Sequence, residues 1–473
     1  MNSSASSLGF FSVTEEMLHS LMAEAMSRGG DYADIFFEYS TLEEMTLHDH
    51  KVTSGGSHVD YGAGVRVIKD SHTGYAFCET TALPSMMRAA RSAAAIADSA
   101  PTPINNLNVT LVKGGCYYPT TYDWNEISFE KKRDFLLDLD ARCCEADERV
   151  VSVMARITHS FDRSLFFNSE GDLACDSGPM TSVTLSVVMQ DAGSIENNTA
   201  SRSFRMGAEM LSEQLATELV EEAVGKCSRM FSSKKIKGGE MPVVMAAGGS
   251  GILLHEAIGH AFEADFNMKN TSIFSDSLGK KVCRSGINVV DDGTIMYNRG
   301  SVNIDDEGVP GQKTYMVRDG VLASYLHDRV TARHYGVSPT GNGRRESFRN
   351  YPIPRMRATY MENGACTAAS IIEDVKRGIY VDSFSNGQVQ IGVGDFTFYV
   401  KTGYLIENGR LTTPIKDVNV MGNGPQALAD IVAVADDCRI DNGTWTCGKG
   451  QNCPVSCGMP TALVSRLTVG GLQ

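Results

Sequence analysis

The chain has 473 residues, 42% of them hydrophobic and 21% charged, the balance of a globular protein too long for one ordinary core and suited to two or three domains. Its net charge of −14 argues against a general binder of nucleic acid or of anionic membranes, and no apolar run is long enough to form a membrane-spanning helix. Met1 to Val13 is Ser-rich and lacks the basic and apolar regions of a secretory signal, so the 12 scattered cysteines read as reduced thiols of a cytoplasmic protein.

Ser12-Val13-Thr14-Glu15 has the form of a capping box, and Met17, Leu18, Leu21, Met22, Ala25 and Met26 follow at helical spacing up to Gly29-Gly30. Ala33 to Tyr39 alternates as a half-buried strand, and Glu44 to His50 reads as a second one. Gly64–Ile68 and Gly74–Phe77 pair as a hairpin around Asp70-Ser71-His72-Thr73, and Leu83 to Ala97 is a helix rich in Ala and Met. A stretch at 99–125 carries Pro, Asn, Gly and Tyr without periodicity and reads as a linker or an ordered excursion. Ser128 to Ala146 is an amphipathic helix, Val150–Ile157 and Ser182–Met189 are strands, and Ala208 to Cys227 is a helix.

The clearest boundary is Ser232 to Gly239, whose small basic run reads as a solvated linker. Beyond it Pro242–Ala246 is a buried strand leading into a helix. Short strands with Asn-Gly and Asp-Gly turns dominate from Asp291 onward, with one late helix at Pro425 to Ala435. The expected fold class is α+β. Residues 1–238 form an N-terminal domain of helices packed on antiparallel strands, and residues 239–473 form a β-rich, barrel-like domain carrying the motif helix.

That helix holds His255-Glu256-Ala257-Ile258-Gly259-His260, an H-E-x-x-x-H pattern one residue longer than the H-E-x-x-H of zinc metalloproteases. Residues four apart on an α-helix lie about 40° apart around the axis, whereas residues five apart diverge by roughly 140°. Both imidazoles can face one ion only if the helix is locally unwound, for which a π-type turn suffices. Gly259 makes such a break cheap. On pattern alone, His255 and His260 could equally be unrelated histidines. The apolar run Ile252-Leu253-Leu254 would bury the helix, and buried imidazoles are costly without a ligand or partner. The strand–glycine–helix order also suggests a phosphate cradle, but the dinucleotide fingerprint would need glycine at Leu254 and no Walker lysine follows. A catalytic zinc needs a third protein ligand. Glu263, Asp265, another histidine or a cysteine could supply it, and the densest thiol cluster is Cys447, Cys453 and Cys457.

The segment from His255 to Asp265 resembles the active-site segment of the TldD/PmbA metalloprotease family. VDDGT (290–294), NIDDEGVPGQ (303–312), TGNGRRESFRNYPIPRM (340–356), VQIGVGDF (389–396), YLIENGR (404–410), GNGPQAL (422–428) and TCGKGQ (446–451) resemble that family in order and spacing. The likeness is to the TldD-type member, because the partner-type member lacks the metal motif. It implies a zinc peptidase acting on unfolded polypeptides and peptides, with His255, His260 and Cys447 as Zn²⁺ ligands and Glu256 as the catalytic acid/base. It further implies a dimer, either with a PmbA/TldE-like paralogue or with itself. Cys453 and Cys457 are departures from the family pattern. An oxyanion stabiliser is also needed. His327, Arg344 and Arg345 are candidates for substrate binding, although the two arginines could equally form structural ion pairs. The competing reading is a non-catalytic peptide-binding scaffold with a structural zinc, which would have no use for an acid/base at Glu256.

Overall fold

Two stretches that the sequence separates, 33–39 and 44–50, fall on one 17-residue strand, Tyr32–His48, with Asp49 and His50 in the turn beyond it, in the computed structural model, which describes residues 4–104 and 107–471. This strand is central to a seven-stranded sheet. Lys51–Lys69 pairs antiparallel along one edge and carries His72–Cys78 beyond it; Val150–Asn168 and then Asp172–Asp191 follow on the other side. Ser194–Phe204 completes the antiparallel run, and the short Thr110–Leu111 pairs parallel with Asp172–Asp191. The stretch at 99–125 is therefore an ordered excursion where described, with Tyr118 buried against Asp176. Asn105 and Asn106 within it, and Met1–Ser3 of the Ser-rich start, lie outside the described residues.

Two pairs of helices cover this sheet. Ile35 and Phe37 pack under Glu15–Ala25 and Leu83–Ala94, while Met45 and Leu47 pack under Phe129–Ala146 and Glu213–Met230. All four strand positions are odd-numbered, so the same face of one strand meets both helix pairs. The opposite face at Phe36 packs against Ile304 and Phe348 of the second half. A short helix at Ser4–Phe10 precedes the expected one, and Glu15–Ala25 begins two residues later than the capping-box reading places it. Thr14, not Ser12, accepts the Met17 N–H at 3.3 Å, and Ser12 sits at φ 55° outside the helix.

In the second half Gly239–Met245, Ala462–Gly470, Val418–Asn423, Asp395–Glu407 and Arg377–Gln390 pair in that order, and the last closes back on the first to form a five-stranded barrel. A second, six-stranded sheet includes Val289–Asp292, Ala358–Met361 and Ser456–Met459. The motif helix lies between barrel and sheet, and Ile252, Leu253, Leu254 and Ile258 join a core that both supply. The late helix is shorter than expected. It spans Gly424–Ala429, and the β-branched run after it forms the strand Ile431–Val434. The architecture is α+β with a barrel-like second half, as the sequence leads one to expect. No helix among the described residues is long and apolar enough to cross a membrane.

Arg66 lies at the junction of the halves, bonded to Asp34 on its own sheet and 2.7 Å from Glu307 across the junction, all three fully buried. Breaking one partner of such a group would leave an uncompensated buried charge.

Candidate metal centre

The segment after Gly239–Met245 turns through Gly248, at φ 93°, into a helix whose pitch changes along its length. A 3₁₀ turn at Gly249–Gly251 is followed by α-helical Ile252–Leu254, a π turn at His255–Gly259 and a second 3₁₀ turn at His260–Phe262. The His260 N–H donates to the His255 carbonyl, five residues back. This wide turn brings the two imidazoles onto one side, with ring centroids 5.1 Å apart and planes at 83°. Gly259 allows this for a different reason from the one its sequence suggests. Its φ of −59° and ψ of −50° are ordinary for a helix, so its conformational freedom is not used. What matters is its missing side chain, because a Cβ would collide with the Met356 sulfur.

Cys447 comes from far along the chain on a tight hairpin of Thr446–Gly448 and Asn452–Pro454. Its Sγ lies 3.1 Å from His260 Nε2. One donor atom from each of His255, His260 and Cys447 lies within 4.8 Å of the others, and all three residues are buried. Cys453 and Cys457 are outside this cluster. Cys453 faces Arg355, and Cys457 is packed in the core between barrel and sheet.

These residues fit a soft divalent cation. Both ring nitrogens of His255 are buried with no hydrogen-bond partner among the described residues, which an imidazole does not tolerate without a ligand. Burial would push the Cys447 thiol up, but the two imidazoles beside it bring it down to about 5, into the thiolate range. Burial would lower His260, but Glu263 and Cys447 raise it to about 10. Two nitrogens and a thiolate form a donor set suited to zinc.

Behind His260, Glu263 Oε2 accepts from Nδ1 at 2.9 Å, which turns Nε2 toward Cys447. The same carboxylate lies 3.0 Å from Lys449 Nζ, and its other oxygen lies 3.9 Å from Arg355 Nε. Burial would raise Glu263, but Lys449 and His260 hold it down at about 2. Lys449 also bonds Asp265 at 2.6 Å, and Arg355 donates to the carbonyls of Cys447 and Gln451, each at 2.6 Å. Glu263 and Asp265, considered above as third ligands, thus tie the His260 turn to the Cys447 hairpin. Nothing local in the sequence signals this network, because its members come from three separate segments.

Glu256 is half-buried, and no hydrogen bond or ion pair joins its side chain to another described residue. Two clefts share it. One, of 630 Å³, extends past His260, Phe266, Gln388–Ile391 and Gly448–Gly450. The other, of 200 Å³, passes His255, Phe384, Gly387 and Trp445–Cys447. His327, Arg344 and Arg345 line neither cleft. The His327 ring is 3.3 Å from Thr331 Oγ1, and burial lowers it to about 4. Arg344 donates to the Met356 carbonyl at 2.7 Å, and Arg345 donates to the Asp306 carbonyl at 2.9 Å with its guanidinium over Phe36. Both arginines border a separate cavity between the halves.

Comparison with known proteins places these observations in a family. The models of PmbA/TldA metallopeptidase domain 1, central domain and C-terminal domain match residues 33–97, 122–230 and 238–471, in order. The metalloprotease TldD homolog of Buchnera aphidicola (Acyrthosiphon pisum) is 38% identical over 460 residues, covering 95% of both chains. That of Haemophilus influenzae is 37% identical over 456 residues, covering 94% of both. A zinc metalloprotease TldD homolog of Saccharolobus solfataricus is 27% identical over 457 residues, 95% of this chain and 98% of that one. Two crystal structures share the fold. A Thermotoga maritima protein described as a candidate modulator of a DNA gyrase superposes with a TM-score of 0.77 at 21% identity, over 96% of this chain and 100% of its own. TldE of Thermococcus kodakarensis does so with a TM-score of 0.74 at 20% identity over the same shares. With three family domains matched in order and the relatives aligned nearly end to end, the chain belongs to the PmbA/TldD metallopeptidase family, among its TldD-type members.

Proposed function

We propose that the chain is a zinc-dependent peptidase that hydrolyses peptide bonds of unfolded polypeptides and peptides, with His255, His260 and Cys447 as the metal ligands and Glu256 as general base and acid. The observation that carries this reading is the orphaned His255 ring beside His260 and the Cys447 sulfur, with an unpaired carboxylate on the next residue facing two clefts. His255, His260 and Cys447 would hold the zinc, which when bound would supply Lewis acidity and lower the pKa of water at the site toward ~7. Glu256 takes the proton of the water that attacks the scissile carbonyl, then hands it to the leaving amine. Glu263 holds His260 in the tautomer that presents Nε2, and Lys449 and Arg355 keep the Cys447 hairpin in register with it.

The substrate lies between the extended stretch at 384–391 and the 445–450 hairpin, where main-chain groups read a peptide backbone regardless of its side chains. A folded domain seldom offers such a backbone, because its own groups are already paired. The protein works in the cytoplasm as a dimer, with a PmbA/TldE-like paralogue or with itself. A structural-zinc scaffold is the weaker reading, because a closed structural site has no use for a carboxylate standing free in a cleft.

Zinc content of purified variants tests the ligand set. His255→Ala, His260→Ala and Cys447→Ala should each lose most of the metal, while Cys453→Ser and Cys457→Ser keep it. Full occupancy in Cys447→Ala, or loss in Cys457→Ser, would overturn the assignment.

A further inference from the structure

Cys453 lies directly across the hairpin from Cys447. Opposite residues of an antiparallel pair point to the same face of the ribbon. The flanking bonds, Val455 N–H to the Trp445 carbonyl and Lys449 N–H to the Gln451 carbonyl, each at 3.1 Å, place the two cysteines in the hydrogen-bonded register. In that register opposite Cα atoms stand about 5.5 Å apart, inside the roughly 4.4–6.8 Å range over which a disulfide closes. The intervening turn is short and rich in glycine, Gly448-Lys449-Gly450-Gln451, with Gly450 at φ 68°. Both cysteines are buried, but Cys447 lines the cleft beside Glu256, whereas Cys453 lines neither cleft at the site. The Arg355 guanidinium lies 3.5 Å from Cys453 Sγ. Cys457 cannot substitute for it, because it sits on Ser456–Met459 opposite Asp441 and Thr359, within the core.

We propose that Cys447 and Cys453 are a reversible oxidation site, with Cys447 the sulfur attacked first and Cys453 the resolving thiol, and that a hydroperoxide is the oxidant. The Cys447 thiolate attacks the distal peroxide oxygen. A sulfenic acid forms, the O–O bond breaks, and the departing alkoxide or hydroxide takes a proton. Cys453 then attacks the Cys447 sulfur, forming the S–S bond and expelling the sulfenic oxygen as water. Two thiols are oxidised to one disulfide, and the hydroperoxide is reduced to an alcohol, or to water in the case of hydrogen peroxide, plus one water. The disulfide takes the Cys447 sulfur out of the donor set, so oxidation releases the metal and stops hydrolysis. That consequence rests on Cys447 being a ligand, as proposed above; formation of the disulfide does not.

The experiment treats the zinc-loaded protein with hydrogen peroxide and maps cysteines by mass spectrometry without reduction. Trypsin cuts after Arg439, Lys449 and Arg466, so a Cys447–Cys453 bond joins peptide 440–449 to peptide 450–466. Released zinc is measured alongside, and peptide cleavage is assayed before and after dithiothreitol with added zinc. Wild type and Cys457→Ser should give the joined peptide, lose zinc and regain most of their activity on reduction. Cys453→Ser, matched to wild type in starting zinc content, should give no joined peptide, should proceed to sulfinic acid at Cys447, and should stay inactive. A peroxide dose that inactivates wild type without joining the peptides would overturn the proposal, as would full recovery of Cys453→Ser. A joined peptide with zinc retained would sustain the oxidation site and instead remove Cys447 from the ligand set.

Discussion

Replacing Glu263 by glutamine tests whether the metal centre depends on the charge behind it. The carboxylate is fully buried and receives the His260 Nδ1–H at 2.9 Å and the Lys449 ammonium at 3.0 Å. Glutamine keeps the shape and can still accept from Nδ1, so the tautomer of His260 survives. It removes the negative charge that faces Lys449 and, at 3.9 Å, Arg355. Removing one partner of a buried pair costs about 3–5 kcal/mol. Lys449 keeps Asp265 at 2.6 Å, so the loss should fall at the low end, about 3 kcal/mol. Because Lys449 and Arg355 hold the hairpin that carries Cys447, the sulfur loses its fixed place. Zinc affinity should then fall by about 10–100-fold. Chelator competition measures the affinity, and urea unfolding of the metal-free protein measures the stability separately. Affinity within about twofold of wild type in a folded Glu263→Gln protein would refute the idea that this carboxylate organises the site.

Two further substitutions probe packing and protonation. In Gly259→Ala the new methyl meets the Met356 sulfur and lies 3.3 Å from the Leu254 carbonyl in a sealed core, so urea unfolding should show a loss of about 1–3 kcal/mol. A variant as stable as its parent would show that the wide turn has room to spare. His159 is buried, stacked on Trp124 at 4.3 Å, and held by burial at about 4. The unfolded chain protonates this ring near ~6.5 while the folded chain resists down to about 4, so stability falls as pH drops through that window. Between pH 7 and pH 5 the effect is about 2 kcal/mol, and His159→Phe should lack this part of the loss. Equal losses in both proteins would contradict it.

The sequence reveals most where spacing is local. A five-residue gap between histidines on a buried helix demands a widened turn, and the structure has a π turn at His255–Gly259. Gly259 was legible as special but not for the right reason, since Met356, the atom that excludes a Cβ, is 97 positions away in the chain. Tyr32–His48 read as two strands because Glu38 to Glu44 are mostly polar and only partly buried, and it is the strands on either side that hold this stretch extended. The helix expected through Ala435 ends at Ala429, because Ile431–Val434 pairs with Ala462–Gly470, a partner no local pattern announces. At the candidate site, resemblance singled out Cys447 among the three clustered cysteines. The Glu263–Lys449–Arg355 network was not readable, because its parts meet only on folding.

The most direct test of metal-assisted hydrolysis with Glu256 as the base is Glu256→Gln, assayed with an unfolded polypeptide beside a stable folded domain of similar length, with zinc content measured on the same sample. Glutamine keeps the shape of the side chain but cannot accept the proton. Glu256→Gln should keep full zinc occupancy and lose nearly all cleavage, and the wild-type enzyme should degrade the unfolded chain and spare the folded one. Cleavage by Glu256→Gln at close to the wild-type rate would contradict that role and make the metal a structural one.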